Sequence, residues 1–250
     1  MIPDVSVKPT DPCFKVEVIS QMPNPQQVIY AAMHQDYAEG FVWDDRHSLP
    51  DESKAGDLVI RNLLGGNRGH FGPLEHPQIV LNCGWFPHST MQQVRTHRVG
   101  ISFDVQSFRY TGSKIVEVVS EEKPVEEVFY MRPVGFYTDR NGKKYEYTET
   151  TRQEDLDWCL EGAKIYARRI AQGFSEEHAR SLIPFDVRQH WVMSANVRSL
   201  MHLMDLRAKD DAQLECQQLC ELIFPHFEAW VPAIAAWYKK NRWGKARLSP

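Results

Sequence analysis

The chain has 250 residues, 42% apolar and 25% charged, which is long enough to bury a core and ordinary for a globular protein. Its formal charge of -4 provides no global positive field to recruit nucleic acid, so an anionic ligand must be captured by local arginines. Five irregularly spaced cysteines, Cys13, Cys83, Cys159, Cys216 and Cys220, include no CxxC pair, which argues against a zinc site or a disulfide framework and fits a reducing cytoplasm.

The opening MIPDVSVKPTDP has no basic segment followed by an apolar run, so no signal peptide is expected, and no stretch approaches the roughly 18 apolar residues of a membrane span. Alternation of Phe14, Val16 and Val18 with Lys15 and Glu17 predicts a strand over 14–20. Pro25 opens a helix to about 39; a second helix covers 56–64, broken by the glycine-rich run 65–69. QIVLNCGW, 78–85, reads as a buried strand. Pro87 then begins a helix through 98, ended or bent by Gly100. Residues 115–150 look β-rich, with a hairpin over 137–147 turning at Asp139-Arg140-Asn141-Gly142; the stretch 134–150 is taken as an exposed insertion. Beyond it the chain is mostly helical: 154–172, a short helix capped by Ser175 and stopping before Pro184, a strand at 187–193, a helix at 196–206, one started by an Asp210/Gln213 cap and ending at Pro225, and a last one to about 240. Cys216 and Cys220 read as partly buried helix residues. The expected fold is a mixed α/β domain, a single compact unit over 1–250 with a central β-sheet flanked by helices.

Three segments concentrate chemistry. In the first, 92–110, Gln93 and His97 share a face if the helix continues, and Arg95, Arg98 and Arg109 offer guanidinium forks suited to phosphate oxygens, with Ser107 and nearby amides completing an anion nest. The alternative there is a solvated polar helix end. In the second, SANVRSLMHLMDLR places Arg198, His202 and Asp205 on one helical face and Arg207 on the opposite side. The two arginines then serve different contacts, or Arg198 simply pairs with Asp205. Arg180 is grouped with them as a further cation. In the third, 69–76, His70, Glu75 and His76 sit in a Gly/Pro loop ahead of a buried strand, as a binding edge would; their spacing matches no familiar metal-ligand pattern. GxGxxG, GxxxxGK and GxSxG motifs are all absent, so a nucleotide cofactor would be held by arginines, histidine and amides.

Taken together, these segments resemble the flavin-dependent thymidylate synthase family. Thr96-His97-Arg98, eight residues, then Ser107-Phe108-Arg109-Tyr110 is similar to its Arg-His-Arg, seven residues, serine motif. GHFGPLEH is similar to its Gly-His-x-x-Pro-x-Glu-His segment, and NVRSLMHLMDLRAKDDAQLE to its second signature. The blocks run in the family's order from about residue 65 to 225. Departures are Thr96 in place of arginine, the longer linker, Val105 where glutamate is frequent, and His202 where asparagine is frequent.

The resemblance implies an enzyme that methylates dUMP to dTMP with 5,10-methylenetetrahydrofolate as carbon donor, reduced FAD as hydride source and NADPH as ultimate reductant, acting as a homotetramer with sites between subunits. It assigns Glu75, Thr96, His97, Arg98, Asn196, Arg198 and His202 to FAD. Gln93, Arg95, Ser107, Phe108, Arg109, Arg180 and Arg207 fall to dUMP, with Arg207 catalytic against the uracil and His70 and Tyr110 near the folate. No metal and no membrane are implied. Phe86-Pro87-His88 lacks the cysteine that folate-dependent synthases use as nucleophile. The alternatives are an RNA-binding module, which the acidic charge disfavours, and another flavin or nucleotide enzyme.

Overall fold

The computed structural model describes residues 10–245 except 68 and 140. The opening segment 1–9, Arg68 of the glycine run and Arg140 of the hairpin turn lie outside the described residues. Backbone contacts gather the chain into two compact units, one drawn from Met1–Lys15, Cys83–Gln93 and Asp104–Trp191, the other from Val16–Asn82, Val94–Phe103 and Val192–Pro250.

The first half of the chain follows the sequence reading, with shifted boundaries. β1 (Lys15–Gln21) precedes α1 (Pro25–Gln35), which starts on its proline as expected and stops short of 39. Asp51 caps α2 (Glu52–Val59) by accepting from the Lys54 amide, and the helix then widens into a π turn over Ile60–Leu64. β2 (Gln78–Pro87) is longer than expected and leads into α3 (His88–Val94).

The helix expected to reach 98 ends at Val94. The His97 amide donates to the Val94 carbonyl at 3.1 Å in a closing turn, and Gly100 at φ 68 redirects the chain into β3 (Ile101–Val105). That redirection requires glycine: a Cβ at residue 100 would lie 2.2 Å from Ser199 Oγ and 2.4 Å from Asn196 Nδ2, in a conformation L side chains rarely adopt. Gln93 and His97 therefore do not share a helical face.

A second correction concerns 115–128, expected to be β-rich and found helical. After α4 (Phe108–Thr111), the chain forms α5 (Ser113–Val119) and α6 (Val125–Val128). Ile115 and Val118 are three apart and both buried, in one cluster with Cys159, Ala163 and Tyr166. Packing on one helical face overrides the β preference of valine and isoleucine. The hairpin does form: β4 (Gly135–Thr138) pairs antiparallel with β5 (Lys144–Tyr147), Thr138 opposite Lys144. Asp139 accepts from the Asn141 and Lys143 amides, and Gly142 has φ 82.

Thr148 caps α7 (Glu149–Ala171), which begins ahead of the expected 154. Ser175 caps α8 (Glu176–Ala179), followed by a 3-10 turn, Arg180–Leu182. β6 (Arg188–Asn196) runs directly into α9 (Val197–Arg207), then α10 (Leu214–Trp230) and α11 (Pro232–Asn241). Asp210 does not cap α10. Gln213 occupies that position, and the Asp210 carbonyl accepts from Gln217 Nε2. Nor does Pro225 end the helix: its ring faces solvent while Phe224 and Phe227 are buried beside it, so packing of the inner face offsets the lost backbone bond. Cys216 and Cys220 are fully buried rather than partly so.

The main sheet has the order β1-β2-β6-β3. Met22 donates to Gln78, His88 to Val187, Gln106 to His190 and Asn196 to Gly100. Each of these bonds joins one strand's end to its neighbour's start, so the sheet is antiparallel. With its helical C-terminal part, this is the mixed α/β class expected. No described helix is long and apolar enough to cross a membrane.

Candidate functional site

In the unit that contains α9, the helix carries candidate side chains at both ends. Its start is fixed by Asn196, whose Oδ1 accepts from the Ser199 amide at 2.8 Å, so Asn196 serves as the N-cap. Two residues on, Arg198 Nη1 meets Glu75 Oε1 at 2.5 Å and its guanidinium lies 5.9 Å from the Phe71 ring centre. Glu75 ends a 3-10 turn, Gly72–Glu75, with proline near its start. At the far end, Arg207 Nε donates to His97 Nε2 at 3.0 Å and Nη2 to Thr96 Oγ1 at 3.2 Å. His202 stands edge-on to His97, ring centres 5.2 Å apart.

Arg198 and Arg207 thus serve different partners, as their half-turn offset predicts. The alternative pairing of Arg198 with Asp205 is corrected: Asp205 is buried, bound to Arg242 Nη2 at 2.7 Å and the Tyr238 hydroxyl at 3.0 Å. Burial, then the nearby Arg207 cation and His202, lower the His97 pKa to about 4. The ring is therefore neutral near pH 7 and, because Nε2 accepts from Arg207, its proton sits on Nδ1. Arg95 and Arg98 are exposed. His70 Nε2 meets Asp36 Oδ2 at 2.7 Å on an exposed edge.

In the other unit, Ser107 Oγ accepts from the Arg109 amide at the start of α4, and Phe108 is buried in the cluster with Ile115 and Tyr166. Arg109 Nε meets Glu177 Oε1 at 3.0 Å, and its guanidinium lies 5.6 Å from the Tyr110 ring centre. Arg109 and Tyr110 share the wall of a cavity of about 450 Å³ with Ser113, Tyr166, Ile170 and Glu176. Gln93 and Arg180 do not line it. Arg180 is exposed on its 3-10 turn and Gln93 is half-buried on α3.

Sequence reasoning named Glu75 but not its pairing with Arg198, and missed Phe71 beside Arg198, Glu177 for Arg109 and Asp36 for His70. Phe71 lies inside a segment already singled out. Glu177 follows the Ser175 cap by two residues, where acidic side chains favour a helix start, but no sequence signal links it to Arg109.

The donor set around α9 suits an anionic dinucleotide such as FAD. Arg98, Arg198 and the Thr96 hydroxyl could supply donors to pyrophosphate oxygens, with neutral His97 adding a polar ring that leaves local charge to the arginines. Among the described residues, no group of three or more metal-ligating side chains competes for this region.

Comparison with known proteins agrees. A flavin-dependent thymidylate synthase of Halobacterium salinarum is 30% identical over 251 aligned positions, covering 94% of this chain and 100% of that protein. One from Haloarcula marismortui is 29% identical, covering 94% and 99%. The UMP/dUMP methylase PolB from Streptomyces cacaoi, solved with 5-Br dUMP, superposes with a TM-score of 0.72 at 20% identity over 95% of this chain and 97% of that one. Thymidylate synthase X from Helicobacter pylori, solved with FAD and dUMP, gives 0.64 at 19% over 84% and 92%. At those identities the likeness to solved structures shows a shared fold. The family model described as thymidylate synthase complementing protein matches residues 17–233, and the chain belongs to that family.

Proposed function

We propose that this protein is a flavin-dependent thymidylate synthase that reductively methylates dUMP to dTMP, taking its carbon from 5,10-methylenetetrahydrofolate and its electrons, through FAD, from NADPH. One observation carries the reading. Two signature segments 110 residues apart in sequence meet at Arg207, which binds both His97 and Thr96. The near-complete alignment with relatives bearing that name supports it.

Glu75, Thr96, His97, Arg98, Arg198 and His202 hold FAD, with Asn196 shaping the helix start that presents Arg198. Gln93, Arg95, Ser107, Phe108, Arg109 and Arg180 hold dUMP, and His70 and Tyr110 lie toward the folate. Reduced FAD, when bound, supplies the hydride. Arg207 does the electrostatic work. Uracil C5 is a weak nucleophile, and a permanent cation at the N3–O4 edge stabilises the negative charge that builds on the ring as C5 attacks the folate carbon. Guanidinium has five donors in a fixed fork; His97 and Thr96 engage one each and hold the fork's direction. Ser107 uses its oxygen as a helix cap, which suits a phosphate ligand better than a nucleophile.

Tritium release from [5-³H]dUMP, with methylenetetrahydrofolate, FAD and NADPH, tests the reading. Release that requires the folate, together with flavin absorbance retained through dialysis, is expected. Folate-independent behaviour or failure to bind FAD overturns it.

A further inference from the structure

Gln106, immediately before the Ser107–Arg109 turn, is gripped at three of its polar atoms. Its amide donates to the His190 carbonyl at 2.9 Å. Its carbonyl accepts from Gln189 Nε2 at 3.3 Å, and its side-chain Oε1 accepts from Lys114 Nζ at 3.3 Å. The grips are themselves anchored. Lys114 Nζ also donates to the Arg188 carbonyl at 2.8 Å and lies 5.0 Å from the Phe108 ring centre. Gln189 is 2% exposed, and its Oε1 accepts from His88 Nδ1 at 2.7 Å, while His88 Nε2 accepts from Gln92 Nε2 at 2.8 Å. Two adjacent residues of β6, Gln189 and His190, and one of α5 thus close on a single half-buried glutamine, with Arg188 of the same strand steadying Lys114. Such a buried, paired network fixes one geometry, because breaking any link leaves a buried donor or acceptor without its partner.

Within the segment it fixes, Phe108 is buried in the core, while Ser107 and Arg109, which carry the polar groups, are held more lightly. Ser107 caps only the four-residue α4, and Arg109 is tied to a half-exposed glutamate. We propose that Lys114 and Gln106 form a positioning pair that presents the Ser107–Arg109 turn to the nucleotide, so that substrate affinity depends on residues that do not touch substrate. This rests on the reading of Ser107 and Arg109 as dUMP ligands. Burial, then the cations Lys123 and Arg188, lower the Lys114 pKa to about 8, as befits an ammonium held inside the protein for a local task.

The test uses the FAD-loaded protein and dUMP, with binding by calorimetry beside steady-state kinetics. Lys114→Met and Gln106→Leu are each expected to raise the Kd and KM for dUMP by about tenfold (~1.4 kcal/mol) with kcat and bound flavin little changed. The double variant is expected to be no worse than either single, because both remove the same link. Gln106→Glu keeps an acceptor for Lys114 and should stay near the wild-type KM. A merely structural staple would lower the melting temperature without this KM-selective pattern or rescue by glutamate. Unchanged dUMP affinity in both single variants, or multiplicative losses in the double, overturns the positioning role. If wild-type protein neither binds dUMP nor forms dTMP, the functional reading falls instead.

Discussion

At the scale of single residues, the Arg207–His97 contact joins electrostatics to stability. Arg207→Ala is expected to reduce dTMP formation by at least about 100-fold, the range seen when one preorganised donor to developing charge is removed, while FAD still binds. Turnover near that of wild type in a flavin-loaded variant would refute the catalytic role. His97 makes a separate prediction. Its folded pKa, lowered to about 4, lies below the ordinary histidine value. Between those two values the unfolded chain binds a proton that the folded chain does not. Stability therefore falls as pH drops from about 6.5 towards 4, by on the order of 3 kcal/mol from this group. Urea midpoints across that range should fall more steeply for wild type than for His97→Gln, which has no titrating ring. Parallel curves would show that the His97 ring does not carry the effect.

At the scale of elements, Gly100 and Asn196 set where the signature segments lie. Gly100→Ala combines positive φ with overlap against Ser199 and Asn196. It should destabilise by about 2–3 kcal/mol and weaken FAD binding, since Thr96, His97 and Arg98 lie just upstream. Asn196→Ala removes only the cap and should cost about 1 kcal/mol; an unchanged melting temperature would mean the cap bond contributes nothing. The contrast shows what was legible in the sequence. Punctuated elements were readable: Pro25, Ser175 and Asn141-Gly142 each act within a few residues, and the structure puts a helix, a cap and a turn there. Elements decided by distant packing were not. The 115–128 stretch has β-branched composition, and only its partners on α7 make it helical. The turn at Gly100 that sends the chain into β3 is crowded by Ser199, about 100 residues away. The candidate site divides along the same line. Its arginines and histidines, and Glu75, were visible in motif blocks, but the pairing of Glu75 with Arg198 and of Glu177 with Arg109 is tertiary, and no spacing reveals it.

At the scale of the whole molecule, assembly is the property that the functional proposal most needs. One loop exposes Tyr37, Phe41 and Trp43, each at 60% or more. Aromatic side chains grouped this way on a surface are commonly covered by a partner. The family resemblance implies a homotetramer with sites built between subunits, so light scattering should return about four times the 29.0 kDa of one chain. Mass alone leaves the origin of each site open, and complementation addresses it. Arg109→Ala and Arg207→Ala are each expected to be inactive. If one site takes Arg109 from one subunit and Arg207 from another, co-expressing the two variants lets random assembly pair intact residues in about a quarter of sites, and activity returns to that fraction. If both arginines come from the same chain, no mixed tetramer contains an intact site and the mixture stays dead. Activity at about a quarter of wild type, lost again when the subunits are kept from exchanging, would place the uracil between copies of the chain; a dead mixture of verified heterotetramers would confine each site to one subunit.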